Sequence, residues 1–165
     1  MFRPLAVLFT CAFAASCLVA QDIPKLRLSG DVRPVRYEMD LKVVPSADGY
    51  SGHIAIEAEI KRSVNTVWLH ATDLKLTKAV VGSRTATVVS GGKEFVGLQL
   101  PSAAPAGKTR IEIDFSGTFN KNDVEGFFKQ SDNGNSYVLS QFEPTSARRA
   151  FPCFDEPAMK VPWKL

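Results

Sequence analysis

Residues 36–61, RYEMDLKVVPSADGYSGHIAIEAEIK, decide the fold, because apolar and polar side chains alternate on either side of a central turn. Alternation with period two places every second side chain on the same face of an extended strand. The apolar faces of the two halves consist of Tyr37, Met39, Leu41, Val43, Ile54, Ile56, Ala58 and Ile60. Residues 45–49 (PSADG) between the halves favour chain reversal, so the stretch is predicted to form a β-hairpin with one solvated face.

Short alternating segments continue along the chain and are separated by Gly and Pro residues. Further strands are predicted at Thr66 to Ala71, Leu74 to Val81, Thr85 to Ser90, Phe95 to Leu100 and Arg110 to Phe119. Turns are predicted at residues 91–92 and 101–107, and residues 126–128 are expected to pair with residues 136–140. Strands at this spacing, without a long helical period between them, favour an all-β antiparallel sandwich over a βαβ arrangement.

Composition indicates one globular domain and excludes a nucleic-acid-binding function. The 165 residues include 45% hydrophobic and 22% charged residues, with a formal net charge of +3. The basic residues are scattered among acidic ones, whereas binding to a polyanion requires clustered positive charge. We therefore expect no nucleic-acid partner.

The first twenty residues have the pattern of a signal peptide. Arg3 precedes the apolar run LAVLFTCAFAA at residues 5–15, which is too short to span a bilayer as a helix. Cleavage before Gln21 would leave residues 21–165 as the exported domain, in the periplasm or outside the cell. Residues 14–17 also resemble a bacterial lipoprotein box, so a lipid anchor at Cys17 is the alternative. Cys153 is then the only cysteine well inside the exported chain, and we interpret it as a small buried residue.

After residue 140 the alternation ends in the stretch QFEPTSARRAFPCFDEPAMKVPWKL, residues 141–165. Its four prolines exclude a regular central strand, and we predict a loop with one short helical turn beginning near Pro144. From this pattern alone, Glu143 is interpreted as a charge at the start of that turn or as a partner of Arg148. Arg148 and Arg149 are expected to fix the loop through Asp155 and Glu156.

Residues 140–158, SQFEPTSARRAFPCFDEPA, resemble the sequence signature near the end of the N-terminal domain of M1 zinc aminopeptidases. We call these residues the signature segment. The stretch LSGDVRPVRYEMDL, which begins at Leu28, is similar to the opening strand of that domain, and residues 114–126 are similar to the strand and loop before the signature. The resemblance covers nearly all of the exported chain.

The resemblance implies a sandwich domain that packs on a thermolysin-like zinc domain and forms one wall of the active-site cleft. Glu143 would bind the α-amine of the peptide N-terminus, and Gln141 would line the pocket for the first side chain. A fixed carboxylate that faces an ammonium group provides a charge-assisted hydrogen bond, which an amide in the middle of a peptide cannot replace. The whole enzyme would remove N-terminal amino acids from peptides.

The resemblance assigns no catalytic residue and no metal ligand to this chain. Zinc in the family is held by a His-Glu-x-x-His helix and a further Glu, whereas His53 and His70 begin no such motif and fall in separate predicted strands. We expect the sequence to end before the zinc site, with its sandwich incomplete at the C-terminal end, and to be inactive alone. The alternatives are an exported non-catalytic binding module for peptides or a protein partner, a non-catalytic scaffold, and the epoxide-hydrolase branch of the same family.

Overall fold

A computed structural model describes residues 23–165. The predictions of a signal peptide and of a lipid anchor at Cys17 concern residues that lie outside this range. Within the described range, no helix has the length and apolar character needed to cross a membrane.

Eleven strands and two 3₁₀ turns make up the described part of the chain, which confirms the all-β prediction. The strands are β1 Val32–Val43, β2 Gly49–Ile60, β3 Val64–His70, β4 Lys75–Val81, β5 Arg84–Thr85, β6 Thr87–Ser90, β7 Phe95–Ala104, β8 Gly107–Thr118, β9 Gly126–Asp132, β10 Asn135–Gln141 and β11 Trp163–Lys164. They form a six-stranded sheet in the order β11-β1-β2-β8-β4-β5, a three-stranded sheet in the order β3-β7-β6, and a β9–β10 hairpin.

The predicted β1–β2 hairpin is present and forms the centre of the six-stranded sheet together with β8. Tyr37 faces Ile56 across the β1–β2 ladder, and Ile56 faces Ile111 across the β2–β8 ladder. All three side chains lie on the same side of the sheet because paired residues share a face. The alternation in the sequence therefore corresponds to one buried face.

The core lies between this face and the three-stranded sheet. Ile54, Ile56 and Ile113 of the large sheet belong to one buried cluster with Val67 and Leu98 of the small sheet. All five are 0% exposed. This arrangement is a β-sandwich, in which two inner faces share an apolar interior.

The prediction of one strand at Thr85 to Ser90 is wrong, because the chain changes sheets at Ala86. Residues before Ala86 pair with β4 in the six-stranded sheet, and residues after it pair with β7 in the three-stranded sheet. The amide of Ala86 donates to the carbonyl of Ala79 at 2.9 Å, which holds the crossing point against β4.

The turn predicted at residues 101–107 is shorter in the structure, since β7 continues through Pro101 to Ala104. The last pair between β7 and β6 is Gln99 with Thr87, so Pro101 lies beyond the end of β6. The β3–β7 register also shifts on this side. A proline is compatible with a strand where no ladder bond requires its missing N–H group.

The predicted pairing of residues 126–128 with residues 136–140 is confirmed in the β9–β10 hairpin. Its two-residue loop is Asn133–Gly134, and both residues have positive φ, 48° and 79°. An Asn-Gly pair is suited to this turn, which matches the natural twist of the two strands. The second edge of β9 contacts Asn120, whose amide donates to the carbonyl of Phe127 at 2.8 Å.

The helical turn predicted after Pro144 is also present, but it is a 3₁₀ turn at Ala147–Arg149 and begins three residues later. A second 3₁₀ turn at Pro157–Met159 was not predicted. The chain then adds β11 parallel to β1, with Trp163 opposite Tyr37. The Trp163 ring stacks on the Tyr37 ring with centroids 4.0 Å apart.

Candidate functional site

The signature segment is held against the sandwich by main-chain hydrogen bonds to the end of β3. His70 and Cys153 exchange two of them, at 2.8 Å and 3.0 Å, and the amide of Thr72 donates to the carbonyl of Arg148 at 2.8 Å. The segment therefore forms an isolated β-bridge with the last residue of β3. This bridge fixes the position of the segment relative to the three-stranded sheet.

Two tyrosine hydroxyls of the six-stranded sheet fix the same segment from the other side. The hydroxyl of Tyr37 accepts the amide of Phe154 at 3.0 Å, and the hydroxyl of Tyr50 donates to the carbonyl of Arg149 at 3.0 Å. Burial raises the pKa of both phenols above the ordinary tyrosine value, so both stay protonated. The segment is thus bonded to both sheets at once.

His70 provides a third polar anchor for the segment. Its Nδ1 accepts the amide of Asp155 at 3.2 Å, and its ring lies 4.8 Å from the Phe95 ring. Burial is the main reason that the pKa of His70 is lowered to about 4, and the neighbouring Arg148 guanidinium acts in the same direction. His70 is therefore neutral near pH 7, as its role as an acceptor requires. The prediction that both histidines are strand residues is confirmed, since His53 lies in β2 and His70 in β3.

Arg148 lies inside the segment, with only 9% of its side chain exposed. Its Nε donates to the Asp155 carboxylate at 2.9 Å, and a terminal nitrogen lies 3.2 Å from the Glu94 carboxylate. The prediction that Arg148 fixes the loop through Asp155 is confirmed. Glu156 instead accepts the amide of Leu28 at 3.1 Å.

Arg149 does not contact Asp155 or Glu156 and turns outward. Its side chain pairs with Glu125 at 2.9 Å and with Asp73 at 3.6 Å. Gly126 makes room for this residue, because a Cβ atom at Gly126 would lie 2.9 Å from the Cβ of Arg149. Gly126 also has a φ of 69°, which glycine adopts without steric cost.

Cys153 is fully enclosed, as expected from the sequence. It is 3% exposed, and burial raises the pKa of its thiol well above the usual range. A thiol that stays protonated is a poor nucleophile. Cys153 is part of the packing behind the segment.

The two predicted site residues, Gln141 and Glu143, lie on either side of the half-buried Phe142. Phe142 between them packs its ring on Phe127 at 5.7 Å and on Phe151 at 5.4 Å, both in edge-to-face geometry. Because Phe142 points inward, its two neighbours are exposed. The side-chain oxygen of Gln141 accepts the amide of Glu143 at 3.1 Å, which fixes the two residues relative to each other.

The carboxylate of Glu143 forms no ion pair with any residue in the range 23–165. Arg148 is engaged with Asp155 and Glu94, and the first turn of the 3₁₀ element at Ala147–Arg149 contains no acidic residue. Neither structural interpretation of Glu143, as a helix-turn charge or as an Arg148 partner, therefore holds. The structure shows an exposed, unpaired carboxylate on an anchored backbone.

A groove of about 780 Å³ beside the segment is a separate feature. Thr72, Glu94, Ser146 and Arg148 line it, whereas Gln141 and Glu143 do not. Sequence reasoning missed Tyr37, Tyr50 and His70 as anchors, since each is an ordinary strand residue in its local pattern.

Comparison with known proteins gives this segment its context. The family description "Peptidase M1 N-terminal domain" matches residues 33–165, which is most of the chain. The chain belongs to the peptidase M1 family. It is 34% identical over 147 residues to the probable M1 family aminopeptidase 1 of Encephalitozoon cuniculi, and 29% identical over 155 residues to the glutamyl aminopeptidase of Rattus norvegicus. Each alignment covers 84% of this chain.

The chain spans only 17% and 16% of the length of these two relatives. It therefore corresponds to one part of a typical M1 family protein. Members of the family are zinc aminopeptidases, and the described residues do not fit that metal. No group of three or more His, Cys, Asp or Glu residues in the range 23–165 could hold an ion. His70 is occupied as a main-chain acceptor, and His53 lies in the other sheet, 2.6 Å from Asp114.

Proposed function

We propose that this chain is the substrate-binding N-terminal domain of an M1 zinc aminopeptidase that removes N-terminal amino acids from peptides. Zinc and the catalytic residues would belong to a thermolysin-like domain outside residues 1–165. The supporting observation is the exposed, unpaired carboxylate of Glu143 within a segment that is otherwise bonded to both sheets. The family to which the chain belongs supplies the context.

The chemistry of this proposal depends on a fixed negative charge. Glu143 would bind the ammonium group of the peptide N-terminus, and Gln141 would contact the first side chain. Because Phe142 and the Gln141–Glu143 hydrogen bond hold the backbone in place, little ordering cost remains when the amine binds. A peptide without a free amine would leave the carboxylate desolvated and unpaired, which opposes binding.

A chimera tests the role of Glu143. The segment of rat glutamyl aminopeptidase that matches this chain is replaced by residues 23–165, and hydrolysis of an aminoacyl chromogenic substrate is measured. Glu143→Gln is expected to lower kcat/KM by about 10- to 100-fold, the value of one charge-assisted hydrogen bond. Glu57→Gln, on the exposed face of β2, is the matched control and should leave kcat/KM unchanged. Equal activity of the two variants would contradict the assignment.

We also propose that the chain has no peptidase activity alone. The purified chain with added zinc should release no chromophore from the same substrate, since residues 23–165 hold no group of possible metal ligands and neither histidine begins a His-Glu-x-x-His motif. Turnover that a chelator abolishes would refute this.

Export is part of the proposal and rests on residues 1–20. Expression in a bacterial host, followed by mass spectrometry of the N-terminus, distinguishes the two sorting alternatives. A chain that begins at Gln21 supports signal-peptide cleavage, whereas a lipid-modified Cys17 supports the anchor. An intact Met1 in the cytoplasm would argue against both.

A further inference from the structure

Among residues 23–165, the β9–β10 hairpin leaves one long strand edge without a partner. In this range β10 pairs with β9 alone, whereas the second edge of β9 is occupied by Asn120. No hydrogen bond from another main chain reaches the free edge of β10 within the part of the chain that the structure describes. An open edge of this kind is a template for a further strand.

The register identifies the groups that this edge offers. A two-residue loop makes Asp132 and Asn135 a hydrogen-bonded pair, and such pairs then alternate with non-bonded pairs along an antiparallel ladder. Ser136, Val138 and Ser140 consequently direct their N–H and C=O groups away from β9. On β9, the Asn120 contacts to Phe127 and Lys129 confirm the same alternation, because these residues also bond away from the hairpin.

The sequence of β10 is chemically symmetric about Val138. The strand reads NSYVLSQ from Asn135 to Gln141. On either side of Val138 come two largely apolar residues, then two serines, then two amide residues: Tyr137 and Leu139, Ser136 and Ser140, Asn135 and Gln141. Tyr137 and Leu139 lie on the same face of the strand, and they are 49% and 44% exposed. The strand contains no charge and no proline, which are the features that normally protect an edge from pairing. The edge of β1, by contrast, carries Asp40 and Lys42.

We propose that β10 is a self-association edge, where a second copy of this chain adds antiparallel about a two-fold axis through Val138. In this register Val138 lies opposite the partner's Val138, and Tyr137 lies opposite the partner's Leu139. The outward groups of Ser136, Val138 and Ser140 then form about six main-chain hydrogen bonds across the axis. A two-fold interface requires a self-complementary surface, and the symmetry of β10 provides it.

The chosen register explains the exposed side chains as well as the backbone. Tyr137 and the partner's Leu139 would cover each other on the outer face, twice in each dimer. Ser136 would lie opposite the partner's Ser140, so hydroxyl residues would meet residues of their own kind. A single strand pair buries less area than a typical stable interface, so we expect a dissociation constant of about 10 to 100 µM.

Sedimentation of the full chain over a concentration range of about 1 µM to 1 mM tests the proposal. A monomer–dimer equilibrium is expected. Ser136→Pro removes an outward amide at the proposed interface and should weaken dimerisation at least about tenfold. Ser131→Pro is the matched control, because Ser131 faces Ser136 across the hairpin and its amide points away from β10. Circular dichroism checks that both variants retain the sheet.

A charge pair tests the register itself. Chains with Tyr137→Lys and chains with Leu139→Glu should each dimerise more weakly than the unmodified chain, and an equimolar mixture should form the heterodimer preferentially. A chain that stays monomeric throughout the concentration range refutes the proposal. A dimer that resists Ser136→Pro, or that both proline variants weaken equally, refutes it as well.

Discussion

Replacement of Arg148 by methionine should destabilise the domain far more than the same replacement at Arg149. Arg148 is 9% exposed and bonds Asp155, whose side chain is 15% exposed, so its removal leaves a largely buried carboxylate without its charged partner and with only the main-chain amide of residue 148, 3.4 Å away. Breaking such a pair costs about 3 kcal/mol. The second partner, Glu94, is 57% exposed and adds little because water screens it. Arg149 is 40% exposed and pairs with exposed acids, so its loss should cost less than about 1 kcal/mol.

Urea denaturation followed by tryptophan fluorescence measures the difference. With a slope of about 1 to 3 kcal/mol per molar urea, the Arg148→Met midpoint should fall by about 1 to 3 M, whereas Arg149→Met should shift it by less than about one third of that amount. The two variants lose the same charge and gain the same side chain, so composition cannot account for a difference. Equal midpoints for the two variants would refute the argument that burial of the Arg148–Asp155 pair fixes the signature segment.

The anchors of the segment and their neighbours support four further predictions. The pKa of His70 is about 4 in the folded state and about 6.5 in the unfolded state, so the unfolded state binds more protons between these two pH values. The free energy of unfolding should therefore fall as the pH drops from 6.5 to 4. His70→Asn keeps an acceptor but does not titrate, so it should flatten this pH dependence when urea denaturation is measured at each pH. Tyr37→Phe leaves the buried amide of Phe154 without its acceptor and should lower the free energy of unfolding by about 1 to 3 kcal/mol, measured by the same denaturation. Cys153 should resist a thiol reagent at pH 8 until urea unfolds the chain, in a variant whose other two cysteines are serine; rapid labelling of the folded chain would contradict its enclosure. Gly126→Ala should lower the melting temperature, because the site combines a positive φ with a close approach to the Cβ of Arg149; an unchanged melting curve would contradict this.

Local pattern predicted the strands wherever their two faces differ in polarity. β1 and β2 are clear cases, since Tyr37 and Ile56 lie inward while their sequence neighbours are charged or small. The crossing at Ala86 was not predictable, because Thr85 and Thr87 are equally suited to either sheet. The choice of sheet is made by partners in β4 and β7, far along the chain.

The site illustrates the same limit. The motif identified Gln141 and Glu143, and the structure places both at the surface beside an inward Phe142. Adjacent residues Arg148 and Arg149 are indistinguishable in the sequence, and only tertiary contacts bury one of them and expose the other. His70 likewise gave no local sign that its ring would accept an amide 85 positions away.

The double attachment of the signature segment has a consequence for the order of folding. The Tyr37–Phe154 bond joins residues 117 positions apart and involves one sheet, whereas the His70–Asp155 bond involves the other. Such distant contacts close large loops and are expected to form late. The segment can therefore reach its final geometry only after both sheets have assembled. A partly folded chain would lack an ordered surface around Glu143. Complete folding of the sandwich is therefore required before that carboxylate has a fixed position.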